Sequence, residues 1–177
     1  MCHSTSSSSF SDVEGVCVMD RIFRPNVAAL IKIGNQFLCA ERSEPRGVWQ
    51  TVQGGVESAD TSLEQALLRE MHEELGVISE NVRIIERSRY WRRYVFPTEV
   101  LEKHPERKNI GQEQMWFVVQ IPSLDCIDLK QSEGEFVQVE LVSLDRLLSQ
   151  IVSWKLPIVK DFCYEMGLLN PLAVETR

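Results

Sequence analysis

The spacing of apolar residues changes period along the chain, and each change marks an element. Asn26 to Ile33 is an apolar, β-branched run, Gly34-Asn35 reads as a hairpin turn, and Gln36 to Glu41 follows as the partner strand. Trp49 to Gln53 reads as a short strand feeding the pair Gly54-Gly55. The period then becomes helical. Leu63, Leu67, Met71 and Leu75 recur every fourth residue, and the spacing predicts a helix over 61–75. Thr61 or Ser62 caps its start, Glu64 sits in its first turn, and Gly76 stops it. Val82 to Phe96 reads as one long strand or a hairpin, ended by Pro97, and residues 98–110 as a charged loop. Gln114 to Ile121 is a buried strand closed by Pro122, and Phe136 to Val142 is another. Asp145 to Val152 reads as a short helix, and Leu156 to Leu168 as a terminal helix with Pro157 in its first turn. Strands on both sides of a central helix, followed by a C-terminal helix, predict an α/β sandwich.

The central helix carries unusual charge. At about 100° per residue, Glu70, Glu73 and Glu74 fall on one arc, beside the apolar stripe. Like charges at this spacing cost a few tenths of a kcal/mol even when solvated. Divalent cations remove that penalty, and carboxylate oxygens are the ligands that Mg²⁺ and Mn²⁺ prefer. Glutamates on a helix more often form only a solvated face, so the flanking residues decide.

Composition restricts the rest. With 177 residues, 44% hydrophobic and 25% charged, the chain fits one soluble globular domain with a sizeable core. The five cysteines are odd in number and scattered, with no Cys-x-x-Cys pair, which argues against a disulfide framework or a zinc site and for a reducing compartment. No apolar run is long enough to span a membrane. Residues 1–20, with serine at nearly every position from Ser4 to Ser9, read as a flexible tail ahead of a single domain over 21–177, and the cytosol is the expected location. A net charge of −7 disfavours a broad, unspecific nucleic-acid surface, and neither DNA nor a membrane is an expected partner. The charge is uneven, however. Arg83, Arg87, Arg89, Arg92 and Arg93 cluster with Tyr90, Trp91 and Tyr94, ahead of Lys103, Arg107 and Lys108. Such a patch beside a carboxylate cluster suits a polyphosphate carrying a base, or else is a solvated sheet face.

Gly54-Gly55, a short loop, a helix with Arg69-Glu70-x-x-Glu73-Glu74, then Gly76-Val77 resemble the signature box of the Nudix hydrolases. Counting back from Arg69 places Thr61 where the family has Glu; counting forward from Gly54 places Asp60 there, with one residue extra before Arg69. The favoured reading is a longer loop, with Asp60 replacing the Glu that supports the box Arg. Arg24-Pro25-Asn26-Val27, Trp49-Gln50, Gln53-Gly54-Gly55, Ile110-Gly111-Gln112 with Gln114 and Trp116-Phe117, and Glu135-Phe136 extend the likeness to about residues 22–165. Together they resemble the branch holding bacterial RNA pyrophosphohydrolases and plant-type, asymmetrically cleaving diadenosine tetraphosphate hydrolases.

The resemblance implies a Nudix-type α/β/α sandwich with a mixed central sheet, and it assigns roles. Glu70, Glu73 and Glu74 match the glutamates that hold Mg²⁺ or Mn²⁺, and Glu135 matches a distal Glu that adds a carboxylate or acts as base. Gly54 and Gly55 allow a tight backbone next to the metals. Arg24, Arg42 and Lys155 match phosphate-binding positions, with Glu41 where some relatives carry a second Arg. Tyr94 and Trp154 are candidates to stack on a purine. Trp49 and Trp116 read as core, and His3, His72 and His104 receive no role. The implied activity is a metal-dependent pyrophosphohydrolase of nucleotide polyphosphates. The leading expected substrate is diadenosine tetraphosphate, cleaved to ATP and AMP. Removal of pyrophosphate or a cap from RNA 5′ ends is the second reading, and a nucleotide- or RNA-binding module without turnover the third. Oligomeric state is left open.

Overall fold

The structure, a computed structural model, describes residues 22–170. The predicted tail over 1–20 lies outside them. Eight strands form one mixed sheet: β1 (Phe23–Ile33), β2 (Gln36–Arg42), β3 (Trp49–Gln50), β4 (Gln53–Gly55), β5 (Arg83–Arg87), β6 (Arg92–Val95), β7 (Gly111–Gln120) and β8 (Phe136–Val142). The helices are α1 (Leu63–Leu75), α2 (Thr98–Lys103), α3 (Leu144–Gln150) and α4 (Leu156–Glu165).

β1 organises the sheet. It runs parallel to β7 from Phe23↔Gly111 to Lys32↔Gln120, while its other edge pairs antiparallel with β4 near its start and β2 near its end. Both faces of β1 are covered, which explains its unbroken apolar run. Val27, Ala29 and Ile31 face α1 and join Leu67, Met71, Leu75, Met115 and Phe117 in one core. Ala28 and Leu30 point the other way, joining Trp116, Leu147, Val159 and Phe162 beneath α3 and α4. The result is the expected α/β/α sandwich with a mixed central sheet.

Local chemistry sets the ends of α1. Ser62, not Thr61, is the cap, its Oγ accepting from Gln65 N at 3.1 Å. Gln65 Oε1 in turn accepts from the Thr61 N–H at 2.6 Å, an offset capping box. Gly76 closes the helix at φ 67°, where only glycine sits without strain.

Three elements differ from expectation. The stretch 82–96 is neither one strand nor a hairpin: β5 and β6 both pair with β7, separated by residues 88–91, where Ser88 turns inward to Glu165 of α4. The charged loop after Pro97 contains the short helix α2. Trp49 to Gln53 divides into β3 on β2 and β4 on β1. Among the described residues no helix is long and apolar enough to cross a membrane.

Candidate active site

The helical spacing delivers the carboxylates to a single cleft of about 260 Å³, lined by Arg42, Glu70, Glu73, Glu74 and Glu135, with Glu133 as a further acid. Gly54 and Gly55 let two charged side chains lie against the backbone of β4. A Cβ on Gly54 would overlap the Glu70 carboxyl group, and one on Gly55 would overlap the Arg24 guanidinium. Successive residues of β4 thus admit a cleft acid on one face and a cation on the other.

Arg69 ties the loop to the helix. Its guanidinium donates to Asp60 at 3.2 and 3.0 Å, to Gly55 O at 2.7 Å, and to Glu70 and Glu73 at 2.8 Å each. The pair with Asp60 is bidentate, so the longer loop brings the shorter acid to the arginine. The hydrogen bonds from Arg69 hold the Asp60 carboxyl below its ordinary range.

Glu74 is the most deeply set acid, at 3% exposure. Burial pushes its carboxyl well above the usual range, the charge of Glu135 adds to this, and the Gln53 N–H donated at 3.1 Å opposes it. Burial likewise raises Glu70, against the pull of Arg69. Glu135 accepts from Arg42 at 2.9 Å and from Gln50 at 3.1 Å. Glu41 is occupied in the adjacent loop, accepting from Gly47 N at 2.8 Å.

On the other face, Lys155 donates to Gln53 Oε1 at 2.7 Å and lies 5.4 Å from the Tyr94 ring centroid. Burial pushes its ammonium down to about 8, with Arg42 adding and Glu74 and Glu135 opposing. Gln53 therefore links the two faces, its backbone to Glu74 and its side chain to Lys155. Gln53 and Gln50 had no role assigned from sequence, although both lie in the stretches that carry the resemblance. Glu133 gave no signal; its N–H donates to Glu73 O at 2.7 Å, which brings it to the cleft.

Two expectations are corrected. Tyr94 does not present a stacking face: it is 5% exposed, covered by Lys155 and the edge of Phe96, with its hydroxyl on Gln112. Trp154 is half-buried beside Lys155. The arginine-aromatic patch is not one surface. Arg92 is inside, paired with Asp161 and Glu165; Arg93 pairs with Glu113, Arg87 with Glu64, and Trp91 packs on the α1-side core.

The donor set is oxygen only, hard carboxylates that suit a hard divalent cation rather than zinc or copper. Among the described residues no three acids converge as they stand, and Arg69 engages both Glu70 and Glu73. Burial disfavours the charged forms of Glu70 and Glu74, with neighbouring carboxylates adding to it, a cost that a bound cation would offset. Glu70, Glu73, Glu74 and Glu135 are the residues that would hold it.

Residues 22–162 match the NUDIX domain family. The chain belongs to the Nudix family and is a Nudix hydrolase, a family that uses divalent metals. Curated relatives span most of it. A protein of Acinetobacter baylyi named RNA pyrophosphohydrolase is 36% identical over 152 residues, 84% of this chain and 90% of that one. A protein of the same name from Baumannia cicadellinicola is 37% identical over 148 residues, 82% and 92%. Solved structures share the fold at 16% identity, covering 82% of this chain and 99% of theirs. They are an E. coli dihydroneopterin triphosphate pyrophosphohydrolase at TM-score 0.64 and a C. elegans Ap4A hydrolase at 0.59.

Proposed function

We propose that this protein is a Mg²⁺- or Mn²⁺-dependent pyrophosphohydrolase of RNA 5′ ends. The observation that carries the reading is the likeness, over more than four-fifths of the chain, to relatives named RNA pyrophosphohydrolase. It reverses the order expected from sequence, which put diadenosine tetraphosphate first; the Ap4A hydrolase shares only the fold. The bidentate Asp60–Arg69 pair also removes the reason for a module without turnover, since the altered loop still secures the box arginine.

Bound metal would neutralise phosphate oxygens and lower the pKa of an attacking water. The chain supplies position and charge, which is most of what phosphoryl transfer asks of a protein. Glu70, Glu73 and Glu74 hold negative charge on a rigid helix face, and Arg69 fixes the first two. Arg24, Arg42 and Lys155 provide three cationic groups for the triphosphate. Glu135, steadied by Arg42 and Gln50, is the acid placed to accept a proton from water. Trp154 remains the aromatic candidate for the first base, now that Tyr94 is covered.

The test is pyrophosphate release from a short 5′-triphosphorylated RNA, in parallel with diadenosine tetraphosphate, each with Mg²⁺, Mn²⁺ and EDTA. Metal-dependent release from RNA, absent in Glu74→Gln, is expected. Faster formation of ATP plus AMP from the dinucleotide would overturn the substrate assignment.

A further inference from the structure

A second cavity, of about 610 Å³, lies on the far side of the Arg69 clamp and takes no part in the hydrolysis described above. Its volume is that of a small-molecule site. One wall is the box loop and first turn of α1, including Val56, Asp60 and Leu63; the other is the connection from β5 to β6, with Arg87, Arg89 and Trp91; Met115 of β7 forms part of the lining. Val56, Leu63 and Trp91 pack against the α1-side core to which Met115 belongs, so one side of the cavity is apolar and includes an indole, while Thr61, Ser62, Glu64 and Ser88 make the rest polar.

Its rim carries two arginines, Arg87 and Arg89, and two acids, Asp60 and Glu64, each acid engaged by an arginine. Asp60 is neutralised by Arg69, and Glu64 pairs with Arg87 at 3.1 Å. That second pair is largely solvent-exposed, so an incoming anion would displace it at small cost. Arg89 is exposed, and its guanidinium pairs with no acid among the described residues. An indole beside a guanidinium that no acid engages has the chemistry of a site for an aromatic anion.

We propose that this cavity binds a nucleoside monophosphate unit, its base against Trp91 and its phosphate at Arg87 and Arg89. Occupancy reaches the catalytic cleft through Asp60. Arg69 donates to Asp60 at the cavity and, with the same guanidinium, to Glu70 and Glu73 at the cleft. A ligand that shifts Asp60 therefore shifts the partner of two cleft carboxylates. The unit could be supplied by a free nucleotide or by a downstream residue of an RNA, and the chemistry recognised is the same.

The test titrates AMP into the full chain in EDTA by calorimetry, which needs no turnover and so stands or falls apart from the RNA assignment. In parallel, KM is measured for 5′-triphosphorylated RNAs of two and six nucleotides. Arg89→Glu changes an exposed side chain, and an unchanged denaturation midpoint controls for folding. Loss of AMP affinity by about tenfold or more in Arg89→Glu, with affinity kept in Glu74→Gln, identifies a free-nucleotide site. A KM advantage of the longer RNA that Arg89→Glu abolishes identifies a downstream-nucleotide site. The proposal is overturned if neither quantity depends on Arg89, or if AMP binding vanishes in Glu74→Gln and survives in Arg89→Glu.

Discussion

Two arginines, Arg69 and Arg92, serve opposite faces of the same sheet and use similar bonds. Arg92, with a side chain 6% exposed, donates to Asp161 and Glu165 of α4, to Ser88 and to the Tyr90 carbonyl, and its guanidinium lies over the Phe162 ring. Every partner belongs to α4 or to the β5–β6 connection, and none lines the acidic cleft. Arg69, 22% exposed, has two partners that hold the loop (Asp60 and Gly55 O) and two that are cleft carboxylates. A buried guanidinium whose acids have no other use fastens a helix. One that shares its acids with a cleft also sets the charge and geometry available there.

The comparison breaks first, and most severely, at Arg92. Arg92→Met leaves the partly buried Glu165 without its cation, and losing hydrogen bonds to charged groups of this kind costs about 1.5–3 kcal/mol. Urea denaturation should show that loss, while kcat at a temperature where the variant remains folded stays within about twofold, the size of a minor distant effect. Lost turnover in a folded variant would erase the distinction between the two arginines.

Glu74→Gln acts in the opposite way. Turnover should fall more than about 100-fold, beyond the 10–100-fold typical of outer-shell changes. Without metal, stability moves the other way. The folded carboxyl sits above its ordinary 4.5, so the stability contributed by the protonated group is full below about pH 4.5 and is lost as pH rises through the folded value. Glutamine does not titrate, so in EDTA the variant should lose less stability than the parent between acid and neutral pH. Thermal midpoints across that range measure it; parallel curves would mean that Glu74 is not the titrating group.

Arg69→Lys lies between these. A lysine cannot make the bidentate pair with Asp60 while also reaching Glu70 and Glu73. Turnover should drop about 10–100-fold, with a much smaller change in denaturation midpoint than Arg92→Met produces. Asp60→Asn should follow it in direction, since it removes the charge that Arg69 grips on the loop side.

Sequence distinguished these regions unevenly, for physical reasons. The stripe Leu63–Leu67–Met71–Leu75, the Ser/Thr cap and Gly76 depend on neighbours within a turn or two, so local spacing reveals them. The same spacing revealed Glu70, Glu73 and Glu74. The departure at Asp60 was visible too, but whether the longer loop restored the contact with Arg69 depended on its three-dimensional path. Arg92 was misread as part of a surface patch because its acids lie 69 and 73 residues away. Tyr94 was misread for the same reason: the Lys155 that covers it arrives from the turn before α4, far along the chain. Gln53 carries no charge, so its double role, backbone to Glu74 and side chain to Lys155, had no local pattern to announce it.

The smallest predicted effect concerns that lysine and tests whether the two faces act on one substrate. Lys155 has its ammonium pushed down to about 8 from an ordinary 10.5. It is charged below that value and loses charge as pH rises through it, so its hold on a phosphate should fade above about pH 8. KM for the phosphorylated substrate should therefore climb severalfold from pH 7 to pH 9, by roughly what one weakened charged hydrogen bond contributes. Lys155→Arg keeps its charge and should flatten that rise; Lys155→Met should show a high KM at every pH. Stability runs against this. A lysine depressed in the fold is a burden while charged, and the burden lifts as pH rises from about 8 toward 10.5. The parent should thus bind substrate best on the side of pH 8 where Lys155 destabilises it most. A KM profile unchanged by Lys155→Arg would place the titrating group elsewhere and leave Lys155 as a packing partner of Tyr94, which would make the acidic cleft, and not the pair of faces, the whole of the site.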